Sequence, residues 1–253
     1  MTEEVTRPQS HGIVTPARIG LGRTGASLPT RAVLDFALDH ARARDAVHRP
    51  LDVGQVERQL LGLGFSTLRV TSQAADRQAY LARPDLGARL SASSRDGLSS
   101  LGVAPDLAIV LADGLSSQAL DHAPYVLQDL KALQADHGWH LAPVVIASQA
   151  RVALGDEIGA CLGASMVLVL IGERPGMSSP DSLGAYLTWQ PKIGRTNAER
   201  NCVSNIRPQG LPPEAAARTL LWLLQEARRQ ERTGIGLKDL SGLKTIGPFT
   251  ALP

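Results

Sequence analysis

Apolar and polar positions follow three rhythms along the chain. From Thr30, the residues Val33, Phe36, Ala37, Ala43, Ala46 and Val47 recur at three and four positions. That is the period of one helix face, and it predicts a helix ending before Pro50. Residues 54–100 carry weaker helical or irregular patterns, GQVERQLLGLGFSTLRV and YLARPDLGARLSASSRDGL, rich in Gly and Ser and broken at Pro84. Past Pro105 the pattern changes to short continuous apolar runs. LAIVLADG (107–114), closed by Asp-Gly, fits a strand buried on both faces. A helix is predicted over 116–138, capped by Ser116 or Ser117 and stopped at Gly138. Then follow APVVIAS (142–148) as a strand, GDEIGACLGA (155–164) as a short helix, and SMVLVLIGERPG (165–176) as the strongest strand of the chain. LGAYLTWQP (183–191) and NCVSNI (201–206) predict further strands. The stretch 212–234 reads as a closing helix with prolines in its first turn.

Strands alternating with helices predict an α/β fold, a Rossmann-like parallel sheet with flanking helices, over 105–239. An N-terminal helical lobe (18–104) precedes it, with a flexible arm (1–17) before that and a tail (240–253) to which no role is assigned. With 43% apolar residues, the 253-residue chain has enough for a real core. The 26 basic and 24 acidic residues nearly cancel, and the arginine-rich patches at 42–44 and 227–232 have no interleaved aromatics, which argues against a nucleic-acid partner. Two cysteines, Cys161 and Cys202, are too few for a disulfide framework and lack zinc spacing, which fits a reducing cytoplasm. No apolar signal-peptide core opens the chain and no run approaches a membrane span, so a soluble protein without a membrane partner is expected.

Gly20, Gly22 and Gly25 spell the G-x-G-x-x-G of a dinucleotide-binding turn. The context does not support it. The preceding run GIVTPARI carries Pro16 and Arg18, helix signals begin only after Pro29, and the acidic residue expected for the ribose, Asp45, falls inside a helix. A glycine-rich extended arm leading into a helix is the expectation.

In open parallel sheets ligands bind beyond the carboxyl ends of strands. Here those ends are Asp113-Gly114, the stretch from Ser148 to Val152, and 172–176, where Glu173 precedes a Pro-Gly turn. Glu173 has two open readings, a carboxylate at the rim of a site, or a helix cap or ion-pair partner of Arg174. Cys202 lies in a polar stretch, ERNCVSNIRPQG, which would suit a reactive thiol, but no histidine is near in sequence and packing is the commoner role of such a residue. The neighbours Asp39-His40, Asp121-His122 and Asp136-His137 point in different directions on helices. No metal-ligand, serine-hydrolase or phosphate-loop spacing is present. With no catalytic residues of its own, the chain is expected to bind a cofactor or complete another chain's active site.

The strings RIGLGRTG, LPTRAVLDFALDHARARDAVH, YLARPDLGARL, LADGLS, GDEIGACLGA, IGERPGMSSPDSLGAYLTW and RNCVSNIRPQG occur in this order. Together, from about Arg18 to about Asp239, the chain resembles the small subunit of ethanolamine ammonia-lyase. The resemblance implies a hetero-oligomeric lyase dependent on adenosylcobalamin, whose large barrel subunit carries the catalytic residues and receives the ethanolamine. A radical route through cobalt–carbon homolysis would release acetaldehyde and ammonia. Matching the family's motifs to this sequence implies cobalamin contacts at Val152, Glu173 and Cys202. Other cobalamin proteins displace the lower base with the histidine of D-x-H-x-x-G. That motif does not occur here, so a base-on cofactor is the expectation. The family often works inside bacterial microcompartments, but MTEEVTRPQSHG shows no amphipathic entry helix, so such residence is implied by the resemblance alone. A non-catalytic small-molecule-binding or scaffolding module with the same sheet is the alternative. The small-subunit reading expects an exposed apolar, arginine-bearing surface for a large partner, with the helix at 30–48 as its candidate.

Overall fold

The computed structural model describes residues 18–131, 138–173 and 176–242. Helix α1 (Thr30–His48) and α2 (Val53–Gly62) lead into β1 (Thr67–Thr71), and three short helices follow, α3 (Arg77–Ala82), α4 (Pro84–Gly87) and α5 (Ala92–Ser99). Then come β2 (Leu107–Ala112), a 3-10 turn (Ser117–His122), α6 (Ala123–Leu130), β3 (Val144–Ser148), α7 (Leu154–Leu162) and β4 (Met166–Ile171). Strands β5 (Leu183–Trp189) and β6 (Arg200–Ile206) and helix α8 (Pro213–Gln230) close the chain.

The six strands form one sheet in the order β1-β3-β2-β4-β5-β6. The first four neighbours pair in parallel, while β5 runs antiparallel to both β4 and β6. The wholly parallel, Rossmann-like sheet expected from sequence is therefore corrected to a mixed one. Its cause is the short link after β4, since a parallel return needs a crossover of a dozen or more residues. A second correction concerns TLRVT (67–71), placed in a helical or irregular stretch by its sequence but forming edge strand β1 beside β3. Val70 points into the core, while Arg69 faces out to pair with Glu57, so only half of a five-residue strand is apolar.

Two cores sandwich the sheet. Ile109, Leu111, Ile146, Leu168 and Leu170 pack against α6 and α8 on one face. Val110, Val145, Val167 and Val169 pack against α5 and α7 on the other. Crossovers running in opposite directions along the sheet so lie on opposite faces, as the right-handed rule requires. Helix α7 comes especially close, because a Cβ on Gly155 would collide with Val169 and one on Gly159 with Pro191.

The helix expected over 116–138 divides at Pro124, whose missing N–H is harmless only in a first turn, so a 3-10 turn precedes α6. Neither serine caps it. Ser116 Oγ donates instead to the Pro180 carbonyl (2.6 Å) and Ser117 Oγ to that of Arg49 (3.0 Å). Residues 132–137 lie outside the described residues, as do the arm 1–17 and the tail from 243, while Gly138, the expected stop, has a positive φ of 64°. Around Gly20, Gly22 and Gly25 the chain is exposed with positive φ, and α1 opens only at Thr30, so no helix N-terminus stands at the glycine turn. Among the described residues no helix is long and apolar enough to cross a membrane.

Candidate binding cleft

The alternation of β6 creates the cleft. Val203 and Ile206 turn toward the core under α8, whereas Cys202 and Ser204 face the opposite side and are exposed. Cys202 stands directly across from Tyr186 on β5. A bulge, where the pairing Leu183 to Ile206 is followed by Ala185 to Val203, holds Asn205 in the left-handed region at φ 58°. Ser204 and Asn205 are thereby both presented to solvent, and Ile206 returns to the core.

This face forms one wall of a cleft of about 240 Å³. Val152 reaches it from the β3–α7 link, Glu173 from just past β4, Ser182 and Gly184 from the start of β5, and Asn197 and Arg200 from the other end. Val152, Glu173 and Cys202, far apart in sequence, thus line one cavity. The strand end Asp113-Gly114 does not. Asp113 accepts the Gln149 and Ala150 N–H groups (2.8 and 3.0 Å) and ties β2 to the β3 exit. Burial raises its pKa against those hydrogen bonds.

Each lining element is held from behind. Arg151, beside Val152, lies 4.1 Å from the Tyr80 ring centroid and donates to the Tyr80 carbonyl (3.0 Å). Tyr80 is fully buried, its hydroxyl donating to the Ala150 carbonyl (3.2 Å), and burial pushes the phenol up to about 12 against the opposing Arg151 charge. Glu173 is half-buried and accepts a hydrogen bond from the Tyr186 hydroxyl, while Arg174 lies outside the described residues.

Below the cleft, Arg200 and Asp156 form a buried ion pair, the side chains 2% and 3% exposed. Arg200 also donates to the carbonyls of Thr196 (2.7 Å) and Arg195 (3.2 Å). Burial drives Asp156 up to about 6, with Arg200 acting against it. The adjacent Glu157 is equally buried. There desolvation pushes upward, but the Leu90 N–H (2.9 Å) and the guanidiniums of Arg95 (2.9 Å) and Arg89 (3.1 Å) outweigh it and lower its pKa. At the far end Glu199 is drawn down to about 2 by the Thr196 N–H, Arg195 and the Thr196 hydroxyl.

Sequence reasoning missed Tyr186, Arg200, Ser204 and Asn205. The signal for the β6 residues was present in NCVSNI, where polar or small residues flank Val203 at strand period. The cleft offers a carboxylate, a thiol, hydroxyls, amides and a guanidinium edge, with no histidine among its lining residues. Among the described residues no three His, Cys, Asp or Glu side chains gather as a metal site.

The fold and the site define a mixed-sheet α/β chain with an open polar cleft at the carboxyl edge of its parallel strands. The family model described as ethanolamine ammonia-lyase light chain (EutC) matches residues 9–238. The ethanolamine ammonia-lyase small subunit of Bradyrhizobium diazoefficiens is 57% identical over 230 residues, 90% of this chain and 88% of the relative. That of Pseudomonas fluorescens is 52% identical over 238 residues (92% and 87%), and that of Rhodopseudomonas palustris 53% over 233 (91% and 89%). The chain belongs to the ethanolamine ammonia-lyase light-chain family, and so to a carbon–nitrogen lyase complex.

Proposed function

We propose that this chain works with a large barrel subunit as an adenosylcobalamin-dependent ethanolamine ammonia-lyase, and that its cleft covers one flank of the cofactor through Val152, Glu173 and Cys202. The observation that carries the reading is the convergence of these three residues on a single cavity. Its chemistry fits. The corrin is a broad ring edged with primary amides, which need an acceptor for N–H and donors for C=O. Glu173 supplies the first, and Asn205, Ser204 and Asn197 the second. Gly184 keeps the floor low, since a Cβ there would stand 3.2 Å from the Tyr186 ring. The cleft is open and smaller than the roughly 300–1,000 Å³ of ordinary ligand pockets, so it borders a large group and leaves the rest to another chain.

When bound, the cofactor supplies the radical chemistry. The residues of this chain bind and orient. Glu173, fixed by Tyr186, accepts from an amide edge; Cys202 and Val152 supply small and apolar contact that excludes water. The absence of D-x-H-x-x-G in the sequence supports a cofactor that keeps its own lower base. A cytoplasmic site of action, in a microcompartment or outside one, belongs to the same proposal.

Mixing the chain with a large subunit and adenosylcobalamin, and omitting each in turn, tests the reading. Acetaldehyde release from ethanolamine should require all three. If the chain neither joins the large subunit nor restores turnover, it is a separate binding module. Glu173→Ala should weaken cobalamin retention by the complex about 10- to 100-fold, the cost of one hydrogen bond to a charged group, with an unchanged circular dichroism spectrum. Absorbance of the cofactor after gel filtration reads the result, and undiminished retention overturns the assignment.

A further inference from the structure

Asp181 stands just before the cleft wall at Ser182 and joins three parts of the chain. His122, neighbour of Asp121 in sequence, meets Asp181 instead, its Nε2 lying 3.3 Å from one carboxylate oxygen. The other oxygen lies 3.3 Å from Arg207 Nε, just past the end of β6. Arg207 Nη1 also donates to the Ser178 carbonyl (3.0 Å), so this one guanidinium ties the exit of β6 to the link that enters β5. The three side chains are at most 20% exposed. An ion pair withdrawn this far from water is weak evidence for stability, since desolvation offsets the attraction, and its best-attested use is to fix a register.

The register at this place is that of the bulge. Between the pairs Ala185 to Val203 and Leu183 to Ile206, the two residues Ser204 and Asn205 stand opposite the single Gly184. A slip by one residue would exchange the faces of the side chains beyond it. Ile206 resists through its burial, and Arg207 by reaching back to Asp181 and Ser178. Gly210 closes on Asn205 from behind. A Cβ there would run into the Asn205 carbonyl oxygen and side-chain amide, and the Leu211 N–H donates to that carbonyl (2.8 Å). Asn205, in the left-handed region, is thus enclosed on its chain side and lines the cleft on the other.

We infer that Arg207, braced by Asp181, is a positioning residue for the cofactor, holding the bulge that keeps the Asn205 amide in the cleft as a donor to a carbonyl of the corrin's amide edge. The inference rests on the cofactor reading above. Arg207 itself is not among the residues that line the cleft and acts through Asn205.

The test is the affinity of the complex with the large subunit for adenosylcobalamin, without ethanolamine, read from cofactor absorbance in equilibrium dialysis. Arg207→Met should weaken binding about 10-fold. Asn205→Gly, which accepts the positive φ but removes the amide, should do so by about the same factor. The two changes together should cost little more than either alone, because one residue acts through the other. Effects that multiply, to about 100-fold, overturn the inference, as does unchanged binding by Arg207→Met. Where the methionine variant does not fold, Arg207→Lys takes its place in the cycle. It keeps the charge beside Asp181 but not the fork that also reaches Ser178, and should lose about 3-fold. If the unsubstituted complex takes up no adenosylcobalamin, the cofactor reading fails and this inference with it. If Glu173→Ala weakens uptake and Arg207→Met does not, only the positioning role is lost.

Discussion

Arg200→Met should destabilise the chain by about 3–5 kcal/mol at pH 7.5, because removing one partner of a buried pair leaves an uncompensated charge. Asp156 would be that charge, 3% exposed, with one carboxylate oxygen already lacking a partner. The pH dependence distinguishes this from a packing effect. Burial sets the folded-state pKa of Asp156 at about 6, above the 3.8 of an ordinary aspartate. Between those values the folded chain binds more protons than the unfolded one, so this group's contribution to stability falls as pH rises through that window. Without Arg200 the carboxyl is driven further toward its neutral form. The deficit should therefore be largest above neutrality and shrink at pH 5, where Asp156 takes up a proton. Urea unfolding at both pH values measures it, and a deficit that is the same at pH 5 and 7.5 would show that charge is not the cause. If the proposed cofactor reading holds, cobalamin retention falls too, since Arg200 lines the cleft.

Gly172→Ala should cost about 2–5 kcal/mol, a backbone collision plus the hydrogen bonds it breaks. Gly172 is where the end of β4 meets the turn after β2. Its carbonyl accepts from Leu115 (2.6 Å) and Ser116 (2.9 Å). A Cβ would fall inside contact distance of the Ser116 carbonyl oxygen and 2.9 Å from the Ala119 Cβ, neither of which can yield as a flexible side chain does. Gly114 answers from the other side at φ 57°, where a Cβ would lie 2.5 Å from the Gly172 oxygen. The end of β4 must shift, and Glu173 shifts with it, so the melting temperature should fall and, on the proposed reading of the cleft, cofactor retention with it. Gly97→Ala on α5 is the control. Nothing stands within 4 Å of its Cβ, and the same methyl should be neutral or stabilising by up to about 1 kcal/mol. Equal effects at both positions would refute the close-approach argument.

The elements legible in the sequence are those whose environment is uniform. LAIVLA and MVLVLI are buried along their whole length and read as strands without ambiguity. At Arg69 the reading fails, because an edge strand with one solvated side looks like any polar segment. The direction of β5 was equally hidden, being decided by the length of a link and not by the strand's own residues. GDEIGACL shows its helix but not that Asp156 and Glu157 are buried, since their arginine partners lie far away in sequence. The pattern of α1 located the helix correctly, yet the first half of the apolar face it identified, Val33, Phe36 and Ala37, is solvent-exposed. Of the cleft, pattern alone pointed to the strand ends that carry Val152 and Glu173 and to the polar stretch around Cys202, while the expectation that these three touch a cofactor came only from the family motifs. Tyr186 and Arg200 enter it through cross-strand register and burial, which are three-dimensional facts.

The strand order also bears on how the chain is assembled. Strands β4, β5 and β6 are consecutive in the chain and neighbours in the sheet. Most of the cleft is therefore built from contacts that close short loops, at low entropic cost. The edge strand β1 has β3 as its partner, across a connection several times longer that contains β2. The half of the molecule that carries Tyr186 and Cys202 thus depends on local pairing, and the N-terminal third with its apolar helix is held by the most distant strand contact in the fold.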